Sequence, residues 1–112
     1  MFSRFNFFKK LFVRKDKTST NDLKSIINNG GFLVDLRTKD EFNQGHIEGS
    51  INIPLAELGK SLEKFKDHTH IVLVCFSGNR SGFAKDILEK KGFKNTINAG
   101  AWEEVNNLLN NN

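Results

Sequence analysis

The 112-residue chain contains only one cysteine, Cys75, and one proline. A single cysteine excludes an intramolecular disulfide and any metal site built from several thiolates. It is compatible with a reducing compartment but does not demonstrate one. One proline and a hydrophobic content of 38% argue against a collagen-like or globally disordered chain. The length therefore predicts a single domain that buries a core without disulfides or metals.

Long hydrophobic runs are also missing. No apolar stretch approaches the roughly eighteen residues that a membrane span requires. The uncharged stretch at residues 5–8 is far shorter than the hydrophobic segment of a signal peptide. We therefore expect a cytoplasmic protein without a signal peptide.

The net charge of +4 is concentrated at the N-terminus. Residues 1–17 carry six basic side chains and one acidic side chain, a net charge of +5, whereas the rest of the chain carries eleven and twelve, a net charge of −1. Five of the eleven phenylalanines lie in the same short segment. The sequence therefore predicts a basic, Phe-rich N-terminal arm at 1–17 and a nearly neutral domain at 18–112.

The arm has a helical spacing of aromatic residues, at Phe2, Phe5, Phe8 (or Phe7) and Phe12. The basic residues Lys9, Lys10, Arg14 and Lys15 are interspersed with them. This pattern fits an amphipathic helix that makes weak contact with an anionic membrane surface, which would place the protein at the periphery of the membrane. A helix packed on the domain, or a disordered leader, fits it as well. We do not expect a nucleic acid partner, because the domain itself is slightly acidic and shows no basic face.

Short apolar runs alternate with amphipathic segments through the domain. Strands are predicted at 32–36, 50–53, 71–74 and 95–98. Helices are predicted from 19–21 to 27, in a short turn at 38–42, and at 55–65, 80–91 and 101–109. This order predicts an α/β fold with a central, mainly parallel sheet and helices on both faces. In such folds ligands bind at the carboxyl ends of the strands.

Cys75 falls at such a point, directly after the most apolar predicted strand and just before the helix at 80–91. The candidate site is the segment Cys75-Phe76-Ser77-Gly78-Asn79-Arg80-Ser81. A helix N-terminus and a nearby cation such as Arg80 lower the pKa of a thiol and so favour the reactive thiolate. Gly78 and Asn79 tolerate the positive φ angles of a tight loop whose N–H groups converge on one anion. Ser81 can cap the helix or donate to that anion. The alternative is a structural cysteine before an ordinary turn, and the combination of residues favours the functional interpretation.

The segment 75–81 resembles the active-site loop of the rhodanese-like sulfurtransferases. Two further stretches are similar to motifs of the same family. The first contains Asp35-Leu36-Arg37, Glu41-Phe42 and Gly45-His46-Ile47-Glu48-Gly49-Ser50-Ile51-Asn52-Ile53-Pro54. The second contains Gly92-Phe93 and Gly100-Ala101-Trp102, with Ala99 where the family commonly has glycine. The resemblance covers residues 19–109 and leaves the arm outside it.

This resemblance implies a small α/β domain with a central parallel sheet and a sulfurtransferase activity. A cysteine of this kind takes a sulfane sulfur from a donor, thiosulfate or a persulfide, and passes it from a cysteine persulfide to a thiol or cyanide acceptor. Cys75 would carry the sulfur, the N–H groups of residues 76–80 would stabilise it, and Arg80 would balance the charge of the loop or bind an anionic donor. No cofactor and no metal is expected. Many family members have arginine directly after the cysteine, and Phe76 at this position favours a less charged or protein-bound persulfide over thiosulfate.

Two other functions remain open. One is a catalytically weak rhodanese-like binding or regulatory module. The other is a phosphatase-like hydrolase, which the resemblance disfavours because the related cell-cycle phosphatases have one residue more between cysteine and arginine than the four found here. The sequence does not predict the oligomeric state.

Several polar residues outside the loop have two interpretations. Asp35 and Arg37 form either part of a pocket rim or an ion pair that orders the loop, and we favour the ion pair. His46 is expected to be a hydrogen-bonded structural residue, and His68 and His70 are expected to be surface residues. Trp102 is expected in the core or in a pocket wall.

Overall fold

A computed structural model of the protein describes Asp16 and residues 18–111. The predicted N-terminal arm, apart from Asp16, lies outside the described residues, so its helix and its membrane contact stay predictions. Within the described range, no helix is long and apolar enough to cross a membrane.

The described residues form a four-stranded sheet with the strand order β2-β1-β3-β4, in which every neighbouring pair is parallel. The strands are β1 (Phe32–Asp35), β2 (Ile51–Asn52), β3 (Ile71–Cys75) and β4 (Thr96–Ala101). The α-helices are α1 (Thr20–Asn28), α2 (Lys39–Asn43), α3 (Asn79–Lys90) and α4 (Trp102–Asn110), and two 3₁₀ segments span Leu55–Lys60 and Leu62–Phe65.

The central strand β3 is buried along its whole length and separates two hydrophobic layers. Because side chains alternate along a strand, Ile71, Leu73 and Cys75 face one layer and Val72 and Val74 the other. Helix α3 and the 3₁₀ segments cover the first layer, and α1 and α4 cover the second. The prediction of a parallel sheet with helices on both faces is therefore confirmed.

The helix predicted at 55–65 is wrong, because two 3₁₀ segments take its place. Within each segment the buried or half-buried side chains are three residues apart, which matches the three residues per turn of a 3₁₀ helix. Gly59 lowers helix propensity within the first segment, and Ser61, between the two segments, leaves the helical region with φ −115° and ψ 12°. The apolar residues Leu58 and Phe65 nevertheless reach the core, each 1% exposed.

The last strand also differs from its prediction. It begins at Thr96, because Asn95 has a left-handed backbone with φ 58°, and it continues to Ala101, where the last helix was expected to start. Its register with β3 shifts, since Leu73 pairs with Asn98 but Val74 pairs with Gly100. This irregularity bends the strand next to the carboxyl end of β3, where Cys75 lies.

Candidate active site

The loop after β3 turns sharply around the sulfur of Cys75, and Gly78 makes the turn possible. Gly78 is the N-cap of α3 and has φ 103°, which a residue with a Cβ adopts only with strain. Glycine has no side-chain acceptor to offer to the first N–H groups of the helix, and these groups have no partner within the helix. The Cys75 Sγ takes that role, because it accepts hydrogen bonds from Gly78 N–H at 3.0 Å and from Ser81 N–H at 3.4 Å.

These contacts determine the acidity of the thiol. Cys75 is only 1% exposed, and burial by itself raises the pKa of a thiol. Hydrogen bonds from the Ser81 hydroxyl and from the N–H groups of Ser81, Gly78 and Ser77 outweigh that effect, so the pKa of Cys75 lies below its usual value. The site therefore favours the thiolate, which is the nucleophilic form of cysteine.

Arg80 does not contact the sulfur but binds the carboxylate of Glu41. Its Nη1 and Nη2 donate to Oε1 at 2.7 Å and to Oε2 at 3.1 Å. Thr38 holds the same carboxylate in a capping box at the start of α2. Hydrogen bonds from Arg80 and Thr38 lower the pKa of Glu41 to about 2. The hydrogen bond to Glu41 in turn raises the pKa of Arg80. Because the two charges cancel, the pair adds no net charge to the surroundings of the loop.

Asp35 and Arg37 form a buried ion pair at the end of β1, as the favoured interpretation expects. Arg37 Nη2 lies 2.8 Å from Asp35 Oδ2, and the two side chains are 4% and 0% exposed. The same nitrogen donates to the carbonyl of Gly45 at 2.7 Å, and the guanidinium lies 4.4 Å from the ring centroid of Trp102. This pair therefore ties the segment after β1 to the start of α4.

A cavity of about 320 Å³ opens beside the loop. Its lining residues are Arg37, Glu41, Gln44, Gly45, Phe76, Trp102 and Glu103. We call this cavity the mouth of the loop. Arg37 lines it as well as forming the ion pair, whereas Asp35 is fully buried and is not part of the lining. Phe76 is 61% exposed, and Asn79 is exposed at the first turn of α3.

Asn98 is a site residue that the sequence interpretation missed. Its side chain is 1% exposed and contacts the Ser81 hydroxyl and the Gly78 carbonyl behind the sulfur. In the sequence Asn98 lies between the apolar residues Ile97 and Ala99. This alternation of apolar and polar residues predicts that the side chain of Asn98 faces solvent. Only the position of α3 over this face of the sheet shows that the alternate face is buried too.

The histidines have structural surroundings. His46 stacks on Phe42 at 3.7 Å between ring centroids, and its Nδ1 lies 2.8 Å from the Phe42 carbonyl oxygen. His68 stacks on Phe32 in the same way at 4.0 Å and is exposed as expected, whereas His70 is half-buried. Among Asp16 and residues 18–111, no group of three or more His, Cys, Asp or Glu residues could hold a metal ion.

Comparison with known proteins agrees with this geometry. Residues 19–108 match the model of the rhodanese-like domain. The thiosulfate sulfurtransferase PspE of Escherichia coli is 35% identical over 74 residues, which cover 64% of this chain and 71% of PspE. The structure of the human single-domain sulfurtransferase TSTD1 superposes with a TM-score of 0.65 at 28% identity and covers 75% of this chain and 88% of its own. The chain therefore belongs to the rhodanese-like family.

Other relatives are longer than the matched region. The putative sulfur carrier protein YrkF of Bacillus subtilis is 36% identical over 66 residues, which cover 59% of this chain but only 36% of YrkF. The putative mitochondrial thiosulfate sulfurtransferase of Schizosaccharomyces pombe is 38% identical over an alignment of 86 residues. The match covers 64% of this chain and 61% of that protein. The chain thus spans less than two thirds of these two relatives.

The buried ion pair gives a stability prediction. We expect Asp35→Asn to lower the free energy of unfolding by about 3–5 kcal/mol, because it leaves the guanidinium of Arg37 buried without its counter-charge. Urea unfolding followed by circular dichroism measures the change. The control is Glu63→Gln, which breaks the exposed pair with Lys66 and should change stability by less than about 1 kcal/mol. Equal effects of the two variants would contradict the prediction.

The Glu41–Arg80 pair gives a pH prediction. Because the pKa of Glu41 falls from 4.5 to about 2 on folding, its carboxylate stabilises the protein fully above pH 4.5 and loses this effect as the pH falls towards 2. Glu41→Gln keeps the capping box but not the charge. We expect it to be less stable than the wild type by about 1 kcal/mol or less near neutral pH, since the pair is partly exposed to solvent. Urea unfolding at a series of pH values should show the difference vanish in acid, and a constant difference would refute it.

Proposed function

We propose that this protein is a sulfurtransferase that carries a sulfane sulfur on Cys75 as a persulfide. The observation that carries the proposal is the set of hydrogen bonds from Gly78, Ser81 and their neighbours to a buried Sγ, which favours an ionised thiol without a general base. Relatives named as thiosulfate sulfurtransferases support the same reaction class.

The reaction has two displacement steps. The Cys75 thiolate attacks the sulfane sulfur of the donor, a new S–S bond forms, and the donor's own bond to that sulfur breaks. With thiosulfate the leaving group is sulfite, which departs with the bonding electron pair. The persulfide then gives its terminal sulfur to cyanide, forming thiocyanate, or to a thiol, forming a new persulfide. Cys75 leaves that second step as the thiolate.

The mouth of the loop favours a donor with little negative charge. Arg80 is bound to Glu41, and Arg37 is bound to Asp35, so each guanidinium is already matched by a carboxylate. Glu103 and the apolar side chains of Phe76 and Trp102 also line the cavity. A dianion such as thiosulfate gains little from these surroundings, whereas an alkyl or protein-bound persulfide places its carbon chain against the aromatic residues.

The first test measures sulfur loading. We expect the wild type to gain the mass of one sulfur atom after incubation with a sulfane donor, and Cys75→Ser to gain none, because Cys75 is the single cysteine of the chain. Cyanide should then remove the added mass and produce thiocyanate. Mass spectrometry with thiosulfate and with an alkyl persulfide reports both steps.

Two results would reject the proposal. A wild type that gains no mass with either donor would favour the binding module. Turnover of an aryl phosphate that Cys75→Ser loses would instead favour the hydrolase.

The second test concerns donor choice. We expect Phe76→Arg to raise kcat/KM for thiosulfate roughly tenfold, with little change for a neutral alkyl persulfide, because it adds an unpaired cation at the mouth. The matched control is Phe83→Arg, which adds the same charge in place of an equally exposed phenylalanine, 61%, outside the cavity lining. Equal gains in both variants would show a general charge effect and contradict the role of Phe76.

A further inference from the structure

The hydroxyl group of Ser81 has one proton and two neighbouring acceptors. It donates to Asn98 Oδ1 at 2.7 Å, which is a short and favourable O–H···O distance. Its oxygen also lies 3.4 Å from Cys75 Sγ, where either atom can be the donor. Since the hydroxyl cannot donate to both acceptors at full strength, the protonation state of the sulfur and the direction of the Ser81 hydroxyl depend on each other.

Asn98 is held firmly in the position of the first acceptor. Its Oδ1 also accepts from the N–H of Gly100 at 3.1 Å, and its Nδ2 donates to the carbonyl of Gly78 at 3.2 Å. Gly82 on α3 leaves room for the amide, because a Cβ there would lie 3.1 Å from Nδ2. These contacts fix which atom of the Asn98 amide faces Ser81, and they make it the oxygen.

We propose that Asn98 is a positioning residue for the Ser81 hydroxyl. Asn98 Oδ1 accepts the hydrogen bond of that hydroxyl while the sulfur of Cys75 is neutral, and Sγ accepts it instead when the sulfur becomes negative. In the neutral state the thiol S–H donates to Ser81 Oγ, and Ser81 donates to Asn98. When the thiol loses its proton to solvent base, the hydroxyl rotates and donates to Sγ, and Asn98 Oδ1 keeps the N–H of Gly100 as its donor. The rotation moves a hydrogen bond and changes no covalent bond.

The consequence for sulfur transfer rests on the proposed function. When the terminal sulfur is attached, Sγ is a neutral bridging atom and the negative charge lies on the outer sulfur, so the hydroxyl returns to Asn98. When the acceptor takes the outer sulfur, the S–S electron pair stays on Sγ, and the hydroxyl turns back to stabilise that charge. Ser81 thus follows the charge through both half-reactions, and Asn98 provides the resting position.

This arrangement predicts opposite effects for two neighbouring truncations. Ser81→Ala removes a donor from the thiolate, and we expect the ratio of thiolate to thiol at a given pH to fall about fivefold. Asn98→Ala removes the competing acceptor and leaves the hydroxyl free to donate to Sγ, so we expect more thiolate than in the wild type. A merely structural Asn98 would have the reverse sign, because releasing the Gly78 carbonyl would loosen the N–H groups that hold the sulfur.

The test is a pH titration of the thiolate ultraviolet absorbance in the full-length protein. The chain suits it, because Cys75 is the only thiol and there is no tyrosine to ionise in the same range. We expect the midpoints to rise in the order Asn98→Ala, wild type, Ser81→Ala. In the double variant the Asn98 substitution should have no further effect, since it acts through the hydroxyl. The measurement needs no sulfur donor, so it succeeds or fails independently of the proposed activity.

A matched control separates this effect from a loss of stability. Asn52 also uses its side-chain amide to hold backbone, donating to the carbonyls of Asp35 and Arg37 at 3.0 and 2.9 Å. Asn52→Ala should lower the urea midpoint of unfolding and leave the thiol titration unchanged. The proposal is overturned if Asn98→Ala raises the thiol midpoint, or if its shift is the same with and without the Ser81 hydroxyl.

Discussion

The candidate site depends on the hydrogen bonds at the start of α3. There the sulfur of Cys75 is the acceptor that the side chain of an N-cap residue usually provides. Gly78 lets the chain turn with a positive φ and supplies no acceptor of its own, so its N–H and that of Ser81 turn to Sγ. The same bonds that complete the helix therefore stabilise a negative sulfur. Folding and activation of the thiol are one event, because the loop cannot keep its shape without presenting these donors to Cys75.

The charges around the loop are arranged in closed pairs. The capping box of α2 holds Glu41 where it meets Arg80, and β1 ends in the buried pair of Asp35 and Arg37. The Glu41–Arg80 pair joins α2 to α3, and Arg37, held by Asp35, also contacts Gly45 and Trp102. The two pairs therefore fix the shape of the cavity beside the loop more than they add positive potential to it. The positive character of the site comes instead from the N–H groups and the helix N-terminus, which act at hydrogen-bond distance from the sulfur. The net charge of +4 of the whole chain therefore says little about the charge at the thiol.

Much of the fold follows from local patterns, and the errors have identifiable causes. The apolar run of β3, the glycine after it and the alternation of strands and helices are enough to predict a parallel sheet with Cys75 at a carboxyl end. The spacing of residues 55–65 predicts one buried face but does not distinguish α from 3₁₀ geometry, because intervals of three fit both. Asn98 could not be found in this way, since its direction depends on the pairing of β4 with β3 and on the helix above it.

Asp16 shows how a division by charge can separate residues that the fold joins. In the sequence it belongs to the basic arm, yet its Oδ2 accepts the backbone N–H of Asn98 at 2.6 Å and its Oδ1 binds Lys85 of α3 at 2.7 Å. Because β4 lies at the edge of the sheet, that N–H faces away from β3 and needs an acceptor from elsewhere. The carboxylate meets this need and at the same time ties β4 to α3, the two elements that carry Asn98 and Ser81. Asp16, which precedes the predicted domain boundary, therefore helps to hold the Ser81 hydroxyl and the Asn98 amide next to each other.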